Sequence, residues 1–147
     1  MDLKKIVNNY LKETGLRATF FEGNIGDLIA KSGEMKEKVL IEEFLSILES
    51  DSHFAIDFPL FCKAWTEIKN NFEEEDLNRL FYLIVKEYEE NNNNHLLTDM
   101  INIALDIASL SKNRSEKIKE IQKKLFVKLN RDDFHHRIKI LLDKNIN

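Results

Sequence analysis

The chain has 147 residues, 43% of them hydrophobic, and a formal net charge of −4, which together are typical of one folded domain. Only four glycines and one proline are present, and this argues against a turn-rich all-β fold. A single cysteine, Cys62, excludes an intramolecular disulfide and suits a reducing compartment. No apolar run approaches the ~18 residues of a membrane span, and the N-terminus lacks the apolar core of a signal peptide. We therefore expect a cytoplasmic protein without membrane contact.

Apolar residues recur at helical spacing along most of the chain, and no segment shows the sustained alternation of a β-strand. All four glycines lie in residues 15–33, which we predict to be irregular and mobile, with room for a short helix from Asn24 to Ser32. Asp57 is predicted to cap a helix that has Pro59 near its first turn. The other predicted helices cover residues 3–11, 34–50, 73–90 and 95–111, and two more begin at Asn113, where a capping-box-like pattern starts, and near Asn130. The spacing of apolar residues in the helix over 73–90 predicts a buried stripe of Leu77, Leu80, Phe81, Ile84, Val85 and Tyr88.

Residues 95–111 are apolar on nearly all sides, a pattern typical of a helix at the centre of a bundle. Short polar links such as NNNN, residues 91–94, favour antiparallel neighbours. No self-similarity at a period of ~34–47 residues supports a solenoid of helical repeats. The expected fold is all-α: residues 1–147 form a compact single-domain bundle of six to seven mostly antiparallel helices, with residues 95–111 as the central buried helix.

Charge is distributed unevenly along the chain. Residues 111–147 carry 11 basic and 5 acidic residues, whereas residues 1–110 carry 11 basic and 21 acidic residues. Acidic residues cluster at both ends of the predicted helix 73–90, where only Arg79 and Lys86 offset them. Such a run is either a solvated surface or a surface that attracts a basic protein. Under the second interpretation the partner-binding residues are Glu73, Glu74, Glu75, Asp76, Glu87, Glu89 and Glu90.

The segment NRDDFHHR, residues 130–137, also has two interpretations. With Asn130 as N-cap, the acidic residues that follow would lie in a first helical turn, where the helix dipole favours them. Alternatively, RDDFHH is similar to the R-x4–6-H motif of the HEPN family of small all-helical proteins, many of which are RNases. The resemblance implies metal-independent RNA cleavage in a homodimer, with His136 moving protons, Arg131 stabilising the phosphorane charge and Asp132 orienting the site.

A polar row on the predicted central helix is a further candidate site. Five polar side chains recur there at intervals of three and four residues: His95, Asp99, Asn102, Asp106 and Ser109. One histidine and two carboxylates are too few ligands for a closed metal site, so we interpret the row as the exposed edge of a buried helix. No phosphate-binding loop or other cofactor motif is present, and Cys62 fits a buried helical stripe. We therefore expect neither a metal nor a cofactor.

These observations favour a non-enzymatic helical interaction protein that binds a partner with a basic surface through its acidic face. An inhibitor or immunity-type protein of a bacterial or phage conflict system is the particular form that we favour. The HEPN-like RNase is the alternative. Nucleic-acid binding by the basic residues 111–147 is not favoured, because no row of aromatic side chains accompanies the lysines to stack on bases.

Overall fold

The computed structural model describes residues 24–50, 54–91, 94–126 and 132–143, and every regular element in these ranges is helical. The predicted all-α fold is therefore confirmed. The α-helices within the ranges are α1 (Asn24–Lys31), α2 (Glu37–Ser50), α3 (Phe54–Ile68), α4 (Glu74–Asn91), α5 (Leu97–Leu110), α6 (Arg114–Glu120) and α7 (Asp132–Asp143). The predicted helix over residues 3–11 lies outside the described residues. Nowhere in the ranges is a helix long and apolar enough to cross a membrane.

The chain divides into two compact units, residues 1–76 and 77–147. The predicted single domain thus remains a prediction, and each unit is described by itself. Part of the segment expected to be irregular, residues 15–33, forms helix α1 and a 3-10 turn at Ser32–Glu34. The short helix expected there is confirmed, while residues 15–23 lie outside the described ranges.

Helices α1, α2 and α3 of the first unit pack against one another around a cluster of aromatic rings. Phe44 of α2 meets Phe61 of α3 edge to face, with ring centroids 5.4 Å apart. Trp65, one turn further along α3, meets Phe72 in the same way at 5.1 Å. Such aromatic pairs stabilise a fold beyond the burial of their area alone. Cys62 of α3 is half-buried. Its predicted position on the buried stripe of the helix had implied full burial.

Asp57 does not cap its own helix, as its position before Pro59 had suggested. Helix α3 already begins at Phe54, so Asp57 lies within its first turn. Its carboxylate is fully buried, and Oδ1 accepts a hydrogen bond of 3.1 Å from the backbone N–H of Ile25, in the first turn of α1. Its other oxygen, Oδ2, has no hydrogen-bond partner among the described residues. Asp57 therefore supplies a cap to a different helix, 32 residues away in sequence.

Helix α5 is central to the second unit, as its apolar surface predicts. It packs against α6, α7 and the π-helical turn Ile121–Leu125. Its buried side chains lie on several faces, and they are Leu97, Met100, Ile101, Ile103, Ala104, Leu105, Ile107 and Ala108. A helix surrounded in this way excludes water from most of its length, which fits a central position.

Helix α4 follows its predicted period closely. Its apolar stripe was predicted from spacing alone, and all of the stripe is buried: Leu77, Leu80, Phe81, Ile84, Val85 and Tyr88. The predicted helix after Asn113 is α-helical only to Glu120 and then widens into the π-helical turn. Helix α7 covers Asp132–Asp143 and buries Ile138, while its predicted start near Asn130 lies outside the described residues.

Replacing Asp57 with Ala should lower the free energy of unfolding by about 1–3 kcal/mol, because it removes a buried acceptor that satisfies the first turn of α1. Asp57→Asn retains the accepting oxygen and should cost less. Urea titration of both variants measures the loss, with the exposed Asp143→Ala as a control. Equal stability of Asp57→Ala and wild type would show that this cap contributes nothing.

Tyr88 is 5% exposed, and burial raises the pKa of its phenol above the ordinary value of 10.0. As pH rises, the unfolded chain therefore releases this proton before the folded protein does, and the free energy of unfolding falls above about pH 10. Tyr88→Phe should reduce this fall, because it removes the buried phenol that keeps its proton in the folded protein. Urea titrations between pH 8 and 11.5, values spanning the range where tyrosine ionises, measure the difference. An identical alkaline fall in Tyr88→Phe would contradict the expectation.

Candidate functional site

Helices α4 and α6 border an open groove in the second unit. Two adjoining cavities, of about 310 and 350 Å³, form this groove and share Phe81 and Glu120. The first cavity extends along α4 to Glu90 and reaches Lys124 in the π-helical turn. The second extends in the other direction, to Asn78 of α4 and Asn113 before α6. We call this feature the α4–α6 groove.

The period of α4 places an apolar floor and an aromatic rim along the groove. Phe81 and Val85 are four residues apart on one helical face and are 8% and 7% exposed. Tyr82, next to Phe81, points away from the core and is 70% exposed. It is the most exposed large hydrophobic side chain in the described part of the chain. The groove thus combines an exposed aromatic ring with a floor of two apolar side chains that are each slightly exposed to solvent.

Lys124 joins the two walls of the groove. Its ammonium lies 3.2 Å from a carboxylate oxygen of Glu89 on α4 and 3.4 Å from one of Glu120 on α6. The hydrogen bond with Glu89 is the main reason why the pKa of Lys124 is raised, and Glu120 adds to it. The lysine belongs to the π-helical turn Ile121–Leu125, a type of helical irregularity often found at functional sites.

Lys117 of α6 is a nearly buried residue that lines the middle of the same groove. Its side chain is 7% exposed, and Nζ lies 5.8 Å from the centre of the Phe81 ring, within the range of a cation–π contact. Nζ also donates a hydrogen bond of 2.8 Å to Oγ of Ser111. The contacts of Lys117 with Phe81 and of Lys124 with Glu89 occur in the same order on both helices, so α4 and α6 run in the same direction along the groove.

The start of α6 differs from the capping box predicted there. The side chain of Asn113 makes no capping hydrogen bond. Instead, the backbone N–H of Asn113 donates to Oγ of Ser111 at 3.3 Å, and the carbonyl of Asn113 accepts from the N–H of Lys117 at 3.1 Å. Ser111 therefore accepts from both the turn and the buried ammonium, while Asn113 occupies the predicted N-cap position without a capping bond from its side chain.

Several of the predicted partner-binding carboxylates have local partners. Asp76 accepts a hydrogen bond of 3.0 Å from the N–H of Glu73, half of a capping box at the start of α4, and Glu73 pairs with Lys38 at 3.4 Å. Glu87 accepts from the side-chain amide of Asn91 at 2.7 Å. These contacts show that part of the acidic run serves the two ends of its own helix.

Glu75 and Glu90 are exposed and have neither a hydrogen bond nor an ion pair within the described ranges. Glu89 and Glu90 line the α4–α6 groove, and Glu116 and Glu120 line it from α6. Sequence reasoning had not singled out Glu116, Glu120, Tyr82 or the two groove lysines. The prediction that the residues from Glu73 to Glu90 bind a partner stays a prediction.

The polar row on α5 lies at the surface, where Arg137 of α7 covers part of it. Arg137 donates hydrogen bonds to the carboxamide oxygen of Asn102 at 2.5 Å and to a carboxylate oxygen of Asp106 at 3.4 Å. Beside them lies a cavity of about 160 Å³ that also reaches Ser109 and Ile140. His95 is exposed, and no group of three or more potential metal ligands occurs among the residues described. Arg137 was missed because its partners are over 30 residues away in sequence.

The two residues of the R-x4–6-H motif cannot be compared in space. Arg131 lies outside the described residues, Asp132 begins α7, and His136 is exposed on that helix. Within this segment the arginine with defined partners is Arg137, and its partners are the amide and carboxylate of α5. The RNase interpretation therefore remains a prediction.

No family model, curated protein or solved structure matches this chain.

Ser111→Ala and Lys117→Met should each destabilise the protein, by about 1 kcal/mol, because each removes one partner of a buried hydrogen bond. The double variant should lose less than the sum of the single losses, with a coupling energy of about 0.5–1 kcal/mol. Urea titrations of the four proteins measure this coupling. Exactly additive losses would mean that the two side chains do not stabilise each other, and Lys119→Met, exposed on the same helix, serves as control.

Proposed function

We propose that this protein is a non-enzymatic interaction module that binds a basic partner through the α4–α6 groove. The observation that carries the proposal is the position of Tyr82. It is 70% exposed, and it stands beside an apolar floor that ends at the carboxylates of Glu89 and Glu90. Binding sites on proteins combine these features, an aromatic anchor near apolar surface with a polar rim.

An exposed tyrosine suits recognition because it supplies a large contact area with few rotatable bonds. Covering Tyr82 together with Phe81 and Val85 would remove apolar surface from water and favour association. The polar end of its ring can stay hydrated at the edge of an interface. Tyrosine is for this reason enriched in the energetically important centres of protein interfaces.

The charges of the groove favour a cationic partner. Four carboxylates line it, against three lysines, and two of these lysines have partners within the chain: the buried Lys117 bonds to Ser111, and Lys124 at the surface pairs with Glu89 and Glu120. The carboxylates of Glu90 and Glu116 are exposed and have no hydrogen bond or ion pair among the described residues. Incoming basic side chains can therefore pair with them without displacing an existing contact. Complementary charge of this kind mainly speeds association and selects the partner.

The particular partner that we propose is a nuclease or another nucleic-acid-binding protein whose cationic groove this chain covers, as an inhibitor or immunity-type protein does. The exposed carboxylates of Glu90 and Glu116 at the groove support this form of the proposal. A protein that binds phosphates must carry a cationic surface, and an acidic protein can occupy it in place of nucleic acid.

The proposal is tested by placing the photo-crosslinking residue p-benzoylphenylalanine at position 82 and irradiating cells of the natural source. We expect the crosslinked proteins to be basic and to include a nucleic-acid-binding protein, because the groove prefers cations. The same residue at Ile56, which is 55% exposed on α3, is the control for general stickiness. Crosslinks that are equal at both positions, or only to acidic proteins, would contradict the proposal.

A charge-reversed variant sharpens the same experiment. Glu90→Lys with Glu116→Lys should abolish the crosslinks from position 82. The matched control, Glu43→Lys with Glu67→Lys, reverses two exposed carboxylates of α2 and α3 and should retain them. Crosslinks that survive reversal in the groove would mean that its charge does not select the partner.

A further inference from the structure

From the shape and polarity of the α4–α6 groove, we infer that its occupant is an amphipathic helix of the partner, with two basic residues about three turns apart and apolar residues between them. This inference rests on the proposed function and names the structural element that the groove accepts. It follows from three features of the groove: its length, the order of polar and apolar groups along it, and the helical nature of its walls.

The groove is long enough for about three turns of helix. It extends along α4 from Asn78 to Glu90. At a rise of ~1.5 Å per residue, these positions lie about 18 Å apart. A helix laid along the groove would therefore contact it through a stripe of residues i, i+4, i+7 and i+11.

Polar and apolar groups follow one another in a defined order along this length. Glu116 and Asn78 lie at one end, Phe81 and Val85 in the middle, and Glu90 at the other end. A matching stripe carries a basic residue at i, apolar residues at i+4 and i+7, and a second basic residue at i+11. Lys86, exposed near the middle, should repel a third basic residue placed there and so exclude uniformly basic segments.

The walls of the groove favour a helix over an extended segment. Both walls are helices, α4 and α6, whose backbone groups are bonded internally, so they offer no strand edge for pairing. An extended occupant would find no backbone partner in either wall and would have to leave its N–H and C=O groups to water along the open groove. A helical occupant satisfies these groups internally and packs its side-chain ridge between the two walls.

The test uses synthetic peptides of about 18 residues, long enough to populate helix in solution. The designed peptide carries lysine at i and i+11 and leucine at i+4 and i+7. A second peptide has the same composition with the lysines moved to the opposite face, and a third has proline at the centre. Fluorescence anisotropy with the full-length protein should show the first peptide binding about tenfold more tightly than either control, as two peripheral ion pairs and an apolar contact imply.

Charge reversal distinguishes the groove from any other surface. Glu90→Lys with Glu116→Lys should weaken the lysine peptide about tenfold, and a peptide with glutamate at i and i+11 should recover the affinity on this variant. Adding Tyr82→Ser should weaken binding of the lysine peptide to the wild-type groove and of the glutamate peptide to the charge-reversed groove. The control variant Glu43→Lys with Glu67→Lys should bind the lysine peptide as tightly as the wild type does. The inference would be overturned if the glutamate peptide did not bind the charge-reversed variant more tightly than the lysine peptide does.

The remaining outcomes separate the inference from the proposed function. Equal affinity of the proline peptide would show that the occupant is not helical, and a dimer in sedimentation that Tyr82→Ser dissolves would show that a second copy of the chain covers the groove. Either result overturns the inference. If crosslinks from position 82 still depend on Glu90 and Glu116, the proposed function survives this loss. If those crosslinks fail as well, both are wrong.

Discussion

The contacts of Lys117 hold together the part of the molecule on which the candidate site depends. Its ammonium is nearly buried, which is costly for a charged group unless hydrogen bonds and favourable contacts compensate. Ser111 in the turn before α6 and the ring of Phe81 on α4 supply such contacts. One side chain thereby links the turn, α6 and α4, and the groove lies between the two helices that it connects. About two helical turns further along, Lys124 repeats the link with Glu89 and Glu120 at the surface.

The charged residues of this protein divide into those that serve the fold and those that face solvent. Asp57, Asp76, Glu87 and Glu89 each accept a hydrogen bond or form an ion pair within the chain, and Asp57 does so with no exposure at all. Glu90 and Glu116 remain exposed and have no such partner in the described ranges. The total charge of a segment therefore overstates the number of charged groups that are available to bind a partner. Exposed carboxylates that line the same groove as Tyr82 indicate a binding surface more specifically than the length of an acidic run does.

The spacing of apolar residues correctly predicted the buried face of a helix where that face depends only on residues of the same helix. The apolar stripe of α4 was correct at every position, because spacing of three and four residues decides which side chains share a face. The start of α3 was wrong by four residues, since Asp57 was taken for the N-cap of its own helix and instead caps α1. The polar row on α5 was read as an exposed edge, and the arginine that covers it comes from α7. In both cases the deciding partner was over 30 residues away.

By itself, the sequence determined the all-α class, the buried stripe of α4 and the central position of α5, because these follow from the periodicity of apolar residues. Only the tertiary structure decided which polar groups meet. Lys117 reaching Ser111, Lys124 bridging α4 and α6, and Arg137 joining Asn102 depend on how helices pack side by side. Charge and hydrogen bonding act over a few ångströms in space, and spacing along the chain does not specify that distance between separate helices.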